Sequence, residues 1–273
     1  VTLPDVQSQA DDRGIHLDEV GVSGIRYPLA VYDVERGKQD TVATITLSVA
    51  LAADQKGSHL SRFVEVLDAH AGEISPSSLP LVLRVLQQRL GSTVARLHLE
   101  FPYFLRRHAP VSGANALVDY LCTITAALEH DQFTLQLTVR VPVTSVCPCS
   151  KAISDYGAHN QRGYLTIVAH PRADTDGDIS PVWLEELIEA AEESASSPVY
   201  PLLKRSDERH VTMHGYDHPV FVEDMVRGVT ARLRDDMRIE RFSVEAVNDE
   251  SIHNHGAFAR LSWPPPDEDT STW

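Results

Sequence analysis

Two stretches of this chain alternate apolar and polar residues with a period of two, and each is followed by segments whose apolar residues return at helical spacing. Over Thr41–Leu51, Ile45, Leu47 and Val49 alternate with Thr44, Thr46 and Ser48; over Gln132–Val143, Phe133, Leu135, Leu137 and Val139 alternate with Thr134, Gln136, Thr138 and Arg140. Such a period suits a strand with one buried face and cannot give a helix a single apolar side. The period then changes. Ser58–His70 sets Leu60, Phe63, Val64, Val66 and Leu67 at helical spacing with Ser58 as a cap, and Ser78–Leu90 repeats the pattern up to a stop at Gly91. With strands predicted at Ile25–Val34, Val94–Tyr103 and Asn115–Leu128, the last long enough to carry a bulge, the first half reads β-β-α-α-β-β.

The second half repeats that order. Strands are predicted at Gln132–Val143 and Gly163–His170, helices at Pro181–Ala195 and Pro219–Asp235, and closing strands at Arg238–Val247 and Ala257–Trp263. Strands flanking paired helices point to an α+β fold with antiparallel sheets and helices on one face. The organisation expected is an N-terminal arm (1–24), two modules (25–129 and 130–263) and an acidic, proline-rich tail (264–273) whose composition cannot build a core.

Charge narrows the partners. The 273 residues carry 39 acidic and 24 basic side chains, a formal net charge of −15, which argues against a nucleic-acid coat or an anionic-membrane binder. A small polyanion held in a local basic pocket stays open. No apolar run approaches the ~18 residues of a membrane span, and Val1–Asp12 has neither a basic nor an apolar leader region. Three cysteines make no disulfide framework and suit a reducing compartment. A cytoplasmic protein is the expectation.

Chemistry concentrates in a few places. Cys147 and Cys149 flank Pro148 in a polar loop followed by Lys151 and His159. A disulfide across so short a loop would be strained, so two free thiols are expected, one suited to a metal and the other to acid or nucleophilic work. Cys122, among Val118, Leu121 and Ile124, reads as a buried apolar residue. Glu250-Ser-Ile-His-Asn-His255 lies at the turn between the last two strands, where extended chain would send His253 and His255 to one face. Nine other histidines, His210, His214 and His218 among them, read singly as ordinary surface or core residues. Pro201–Glu208 reads as a solvated loop, and Glu223 and Asp224 as acids that offset a helix dipole. There is no P-loop and no dinucleotide fingerprint. Spacing allows a catalytic metal site built from Cys147, His159 and a carboxylate, and stops there.

Resemblance goes further. Leu3-Pro-Asp-Val6, Gly24-Ile-Arg-Tyr-Pro28, Gly57–Leu67, Ser145-Val-Cys-Pro-Cys-Ser-Lys151, Gly157-Ala-His-Asn-Gln-Arg162, Tyr200-Pro-Leu-Leu-Lys-Arg205, Phe221–Arg227 and Glu250–His255 resemble the prokaryotic type IB GTP cyclohydrolase I family, in order from Leu3 to about Trp263. The resemblance implies a tunnelling fold and a homotetramer with active sites at subunit boundaries. It also implies conversion of GTP and water to 7,8-dihydroneopterin triphosphate and formate with a divalent metal (zinc, manganese or iron) and no organic cofactor. On this chain it implies metal ligands at Cys147, His159 and Glu208, a catalytic thiol at Cys149, and acid–base groups at Glu250 and His253, the latter also a possible ligand. Glu223 would grip guanine. Lys204, Arg205 and Arg162, with Lys151, are the candidates for the triphosphate. Met213 stands where the family pattern leads one to expect a glutamate.

Overall fold

The strands Gly37–Leu51, Val94–His108, Asn115–Glu129, Gln132–Val146, Asn160–Pro171 and Ile239–Asn248 bury alternate residues along most of their length, and that alternation organises each unit. The computed structural model describes residues 4–34, 37–70, 75, 78–174 and 179–265. In chain order the elements are β1 (Leu17–Asp33), β2 (Gly37–Leu51), α1 (Leu60–His70), α2 (Leu79–Leu90), β3 (Val94–His108), β4 (Asn115–Glu129), β5 (Gln132–Val146), α3 (Pro148–Ile153), β6 (Asn160–Pro171), α4 (Leu184–Glu192), β7 (Ser197–Pro198), α5 (Arg205–Asp217), α6 (Val222–Leu233), β8 (Ile239–Asn248) and β9 (Ala257–Trp263). The expected α+β class and the doubled β-β-α-α-β-β order are both present, with α3, β7 and α5 added to the second copy.

The described residues form two units. The first lies within Val1–Pro102, Thr123–Gln136 and Ala173–Ile179; the second within Tyr103–Cys122, Leu137–Arg172 and Ser180–Trp273. This division cuts β3, β4 and β5, so it is drawn differently from the sequence modules 25–129 and 130–263, which follow element order. Most of the tail lies outside the described residues.

In the first unit the strand order is β1-β2-β3-β4-β5. β1 pairs antiparallel with β2 from Leu17↔Leu51 to Asp33↔Gly37, with irregularities between Leu17 and Val20 and between Val22 and Ile25. The strand therefore starts eight residues before the expected Ile25, inside the expected arm. Those shifts explain the miss, because they break the period-two pattern that sequence reading relies on. Gly21 is required there: a Cβ would stand 1.9 Å from the Leu47 carbonyl oxygen. α1 and α2 pack on each other and on β1 and β2, burying Phe63, Val66 and Leu67 with Leu79, Val82, Leu83 and Leu86. Gly91 ends α2 in the left-handed conformation (φ 64°), as its position after the last apolar residue implied.

In the second unit the order is β3-β4-β5-β6-β8-β9, with β7 on β5. β4 buries every second residue from Val118 to Leu128, so its alternation runs on without the break that a bulge would introduce. α4 and α6 pack together, α4 on β6 and α6 on β8 and β9. Both helices begin three residues later than their prolines suggested, and they start by the same device. The Glu186 carboxylate accepts the Trp183 N–H at 3.1 Å, and Asp224 accepts the Phe221 N–H at 3.0 Å. α5 repeats it, with Asp207 accepting from Lys204 N–H at 2.8 Å.

A charged cluster is buried under α4. Glu192 accepts from the Tyr120 hydroxyl at 2.5 Å and pairs with Arg107 at 2.8 Å, while Arg107 also donates to Tyr120 at 3.1 Å. Burial pushes the Glu192 carboxyl up, against the pull of Tyr120 and Arg107. Cys122 is fully buried and burial pushes its thiol up, as the apolar reading of that residue requires.

Candidate active site

The cysteine loop begins where β5 ends. β5 pairs with β6 as far as Val146↔Asn160, and the next bond runs from the Cys147 N–H to the His159 carbonyl at 3.1 Å. Thus the two strands converge on Cys147 and His159 although twelve positions separate them. Pro148 starts α3, Cys147 is its N-cap, and the Ser150 N–H donates to the Cys147 sulfur at 3.5 Å. Ser150 also ties the loop together: its hydroxyl accepts the His159 N–H at 3.1 Å. All three cysteines are free thiols; Cys147 is half-buried and Cys149 exposed.

Behind the loop lies a polar network that sequence reading did not find. His159 Nδ1 is 2.9 Å from Gln161 Oε1, Gln161 Nε2 donates to Ser145 Oγ at 2.8 Å, and Asn248 Nδ2 donates to the same oxygen at 2.8 Å. Because the Gln161 amide spends its nitrogen on Ser145, it turns its acceptor oxygen to His159. Nδ1 must then carry the ring proton, which leaves the Nε2 lone pair free for an ion. Gly163 keeps this network intact, since a Cβ there would sit 2.1 Å from Asn248 Oδ1.

α5 is the second addition. Its first four residues fall in Pro201–Glu208, the stretch whose spacing suggests a solvated loop, and the whole helix lacks apolar periodicity: only Asp207 and Gly215 are buried. Polar contacts hold it instead. Asp207 accepts the N–H groups of Val111 and Ser112, both at 2.8 Å, and the Ser112 hydroxyl at 2.6 Å. Burial alone would raise its carboxyl, but these bonds and that from Lys204 outweigh it and hold Asp207 well below the usual carboxylate range. At the other end, the Lys151 ammonium donates to the Tyr216 carbonyl and lies 4.3 Å from the Tyr216 ring centre. Val220 N–H donates to Val146 O at 3.1 Å, which sets the start of α6, with Glu223 in its first turn, beside the cysteine loop.

The remaining candidates fall as follows. Glu208 is exposed on α5 just after the clamped Asp207. Lys204 and Arg205 are exposed at the N-terminus of that helix, and Arg162 is exposed on β6, where its carbonyl accepts the Asp249 N–H at 3.0 Å, next to Glu250. His253 and His255 do share a face, with ring centres 5.1 Å apart, but on a turn and not on extended chain. Ser251 Oγ reaches 3.4 Å from His159 Nδ1 and brings this turn to the cysteine loop. Of the four basic candidates, Lys151 is engaged with Tyr216.

The donor chemistry of Cys147 and His159, a thiol and an imidazole with its outer nitrogen freed, fits a borderline divalent ion. Among the described residues, no group of three or more His, Cys, Asp or Glu side chains is gathered to hold one. The chain thus brings two of the three expected ligands together and does not gather Glu208 with them.

Uricase from Arthrobacter globiformis superposes with a TM-score of 0.52 at 8% identity over 93% of this chain and 95% of its own. Urate oxidase from Bacillus sp. TB-90, as its R298C mutant, gives 0.51 at 12% over 90% and 98%. The architecture is therefore that of the tunnelling fold. A family model described as type I GTP cyclohydrolase FolE2 matches residues 3–259. GTP cyclohydrolase FolE2 of Methylococcus capsulatus (strain Bath) is 48% identical over 261 residues, 96% of this chain and 95% of that protein. Its counterpart in Geobacter sp. (strain M21) is 47% identical over 260 residues, 95% and 94%. The chain belongs to the FolE2 family of type I GTP cyclohydrolases, and it is an enzyme of that class.

Proposed function

We propose that this enzyme opens the imidazole ring of GTP with water at a centre built on the Cys147–His159 junction, releasing formate and 7,8-dihydroneopterin triphosphate. The observation that carries the reading is the convergence of β5 and β6 on a half-buried thiol and an imidazole whose outer nitrogen is free, in a chain of this family. Cys147 and His159, with Glu208 as the carboxylate ligand, would hold a divalent ion. Such an ion lowers the pKa of water from 15.7 toward ~7 and so supplies hydroxide at neutral pH.

The rest of the work falls to side chains. The Glu223 carboxylate accepts from N1–H and the 2-amino group of guanine, a pattern adenine cannot offer. Cys149, exposed beside Cys147, and His253, on the turn linked to His159 through Ser251, would deliver a proton to N7 and make C8 electrophilic. Help of that kind is worth ~100- to 10,000-fold. Glu250 supports His253, and Lys204, Arg205 and Arg162 meet the triphosphate. That no third ligand is gathered among the described residues agrees with active sites at the boundaries of a homotetramer, the assembly we assign. A cytoplasmic setting agrees with free thiols and with helices too short or too polar to cross a membrane.

The test is formate release from GTP by the purified protein, with and without a strong chelator, alongside its solution mass. Metal-restored formate release from a tetramer is expected. Undiminished turnover in metal-free protein would overturn the metal reading, and full activity of a monomer would overturn the shared site.

A further inference from the structure

His210, His214 and His218, unremarkable one at a time, form a column along α5. At four-residue spacing they share one flank of the helix. Ring centres of His210 and His214 stand 6.0 Å apart at 9°, and those of His214 and His218 stand 4.2 Å apart at 29°. All three are exposed. His218 Nδ1 lies 2.8 Å from the His214 carbonyl oxygen. A carbonyl only accepts, so Nδ1 carries the proton and Nε2 presents its lone pair outward. That is how imidazole ligands are prepared: one nitrogen is spent on a carbonyl and the other left for the ion.

Two further features agree. Burial, with the neighbouring His218 and His210, holds His214 below the ordinary histidine range, against the pull of Asp217. Met213, also exposed, sets a thioether beside the column, in a place where the family pattern led one to expect a glutamate. At ~100° per residue, Glu208 lies about 120° around the helix from His214 and about 80° from His218, so it does not sit in line with the pair.

We propose that His214 and His218 form a second site on the exposed flank of α5 for a divalent transition metal of the zinc, nickel, copper or cobalt type. Two histidines four apart on one helix face are a recurrent chelating pair. Imidazole selects these ions over magnesium and calcium. No group of three or more such ligands is gathered among the described residues, so the site is a two-imidazole chelate completed by water. Nothing in it depends on Cys147 or His159.

Cobalt(II) titration of the metal-free, full-length protein separates the two sites, because thiolate-bound cobalt has an intense near-ultraviolet charge-transfer band and imidazole-bound cobalt lacks it. The parent protein should take up an equivalent without that band, and C147A should keep it. H214Q and H218Q should each weaken it at least about tenfold, since losing a ligand costs no less than losing its outer partner. Glutamine is a good helix former at exposed positions, and far-ultraviolet circular dichroism verifies that the helix persists. Unchanged band-free uptake in the H214Q/H218Q double variant, or none in the parent, overturns the proposal. Loss of only the thiolate band in the parent would count against the Cys147 centre and leave this site standing.

Discussion

Gln161 reaches His159 through its carbonyl oxygen, at 2.9 Å from Nδ1, and is itself held by Ser145. One buried amide thereby decides which nitrogen of the imidazole faces outward. The first prediction concerns that relay. Gln161→Leu should lower zinc affinity by about 10- to 100-fold, with a parallel fall in kcat/KM. Gln161→Glu, which still offers an acceptor, should recover most of it. Competition with a chromophoric chelator measures the affinity; equal affinity in the Leu variant would remove Gln161 from the site.

The two thiols should separate cleanly. Cys149→Ala is expected to keep bound metal and lose formate release, whereas Cys147→Ala is expected to lose metal. Metal analysis paired with a formate assay checks both, and an active Cys149→Ala enzyme would take that thiol out of the chemistry.

Glu223 should matter for the base and not for the ion. Glu223→Ala is expected to raise the Kd for GTP by at least about tenfold, given the ~1.5–3 kcal/mol that hydrogen bonds to a charged group contribute. Metal content should stay unchanged. Calorimetric titration with GTP reads the first and elemental analysis the second.

Glu192→Ala should destabilise the fold by about 3–5 kcal/mol, because it strands the Arg107 guanidinium in a site built for an ion pair. Replacing both partners with apolar residues should cost less than the single change. Chemical denaturation of the two variants beside the parent gives the comparison.

His170 gives a pH prediction. Burial, then the Arg241 guanidinium on the paired strand, lowers its pKa below 6.5, against the pull of Glu240. A depressed value means the folded state disfavours the proton. The stability His170 contributes is therefore present above about pH 6.5 and is lost as pH falls through its lower folded value. His170→Gln should flatten that part of the profile of Tm against pH; an unchanged slope would assign the acid sensitivity to other groups.

What the sequence by itself determined was the alternation, and with it the elements. Thr41–Leu51 and Gln132–Val143 could only be strands with one wet face, and the turn to helical spacing at Leu60 and Leu79 followed. Gly91 announced its own helix stop. The Cys-Pro-Cys loop, His159 and the Glu250–His255 turn were legible as chemistry because their residue types are costly to place without a use. Where pattern failed, polar contacts were in charge. The first eight residues of β1 are not legible because the irregular pairing there breaks the period. α5 was missed because Asp207 clamps it to the Val111–Ser112 backbone from 95 or more positions away, with no apolar stripe to signal it.

Only the tertiary structure could decide which residues meet. Ser145, Gln161 and Asn248 are unremarkable letters, yet pairing of β5, β6 and β8 brings them to one buried point behind His159. Hydrogen bonding is short-ranged and directional, so its partners are set by strand register, which spacing along the chain does not encode. The same holds for the histidine column, whose members acquire a shared flank only once α5 is a helix.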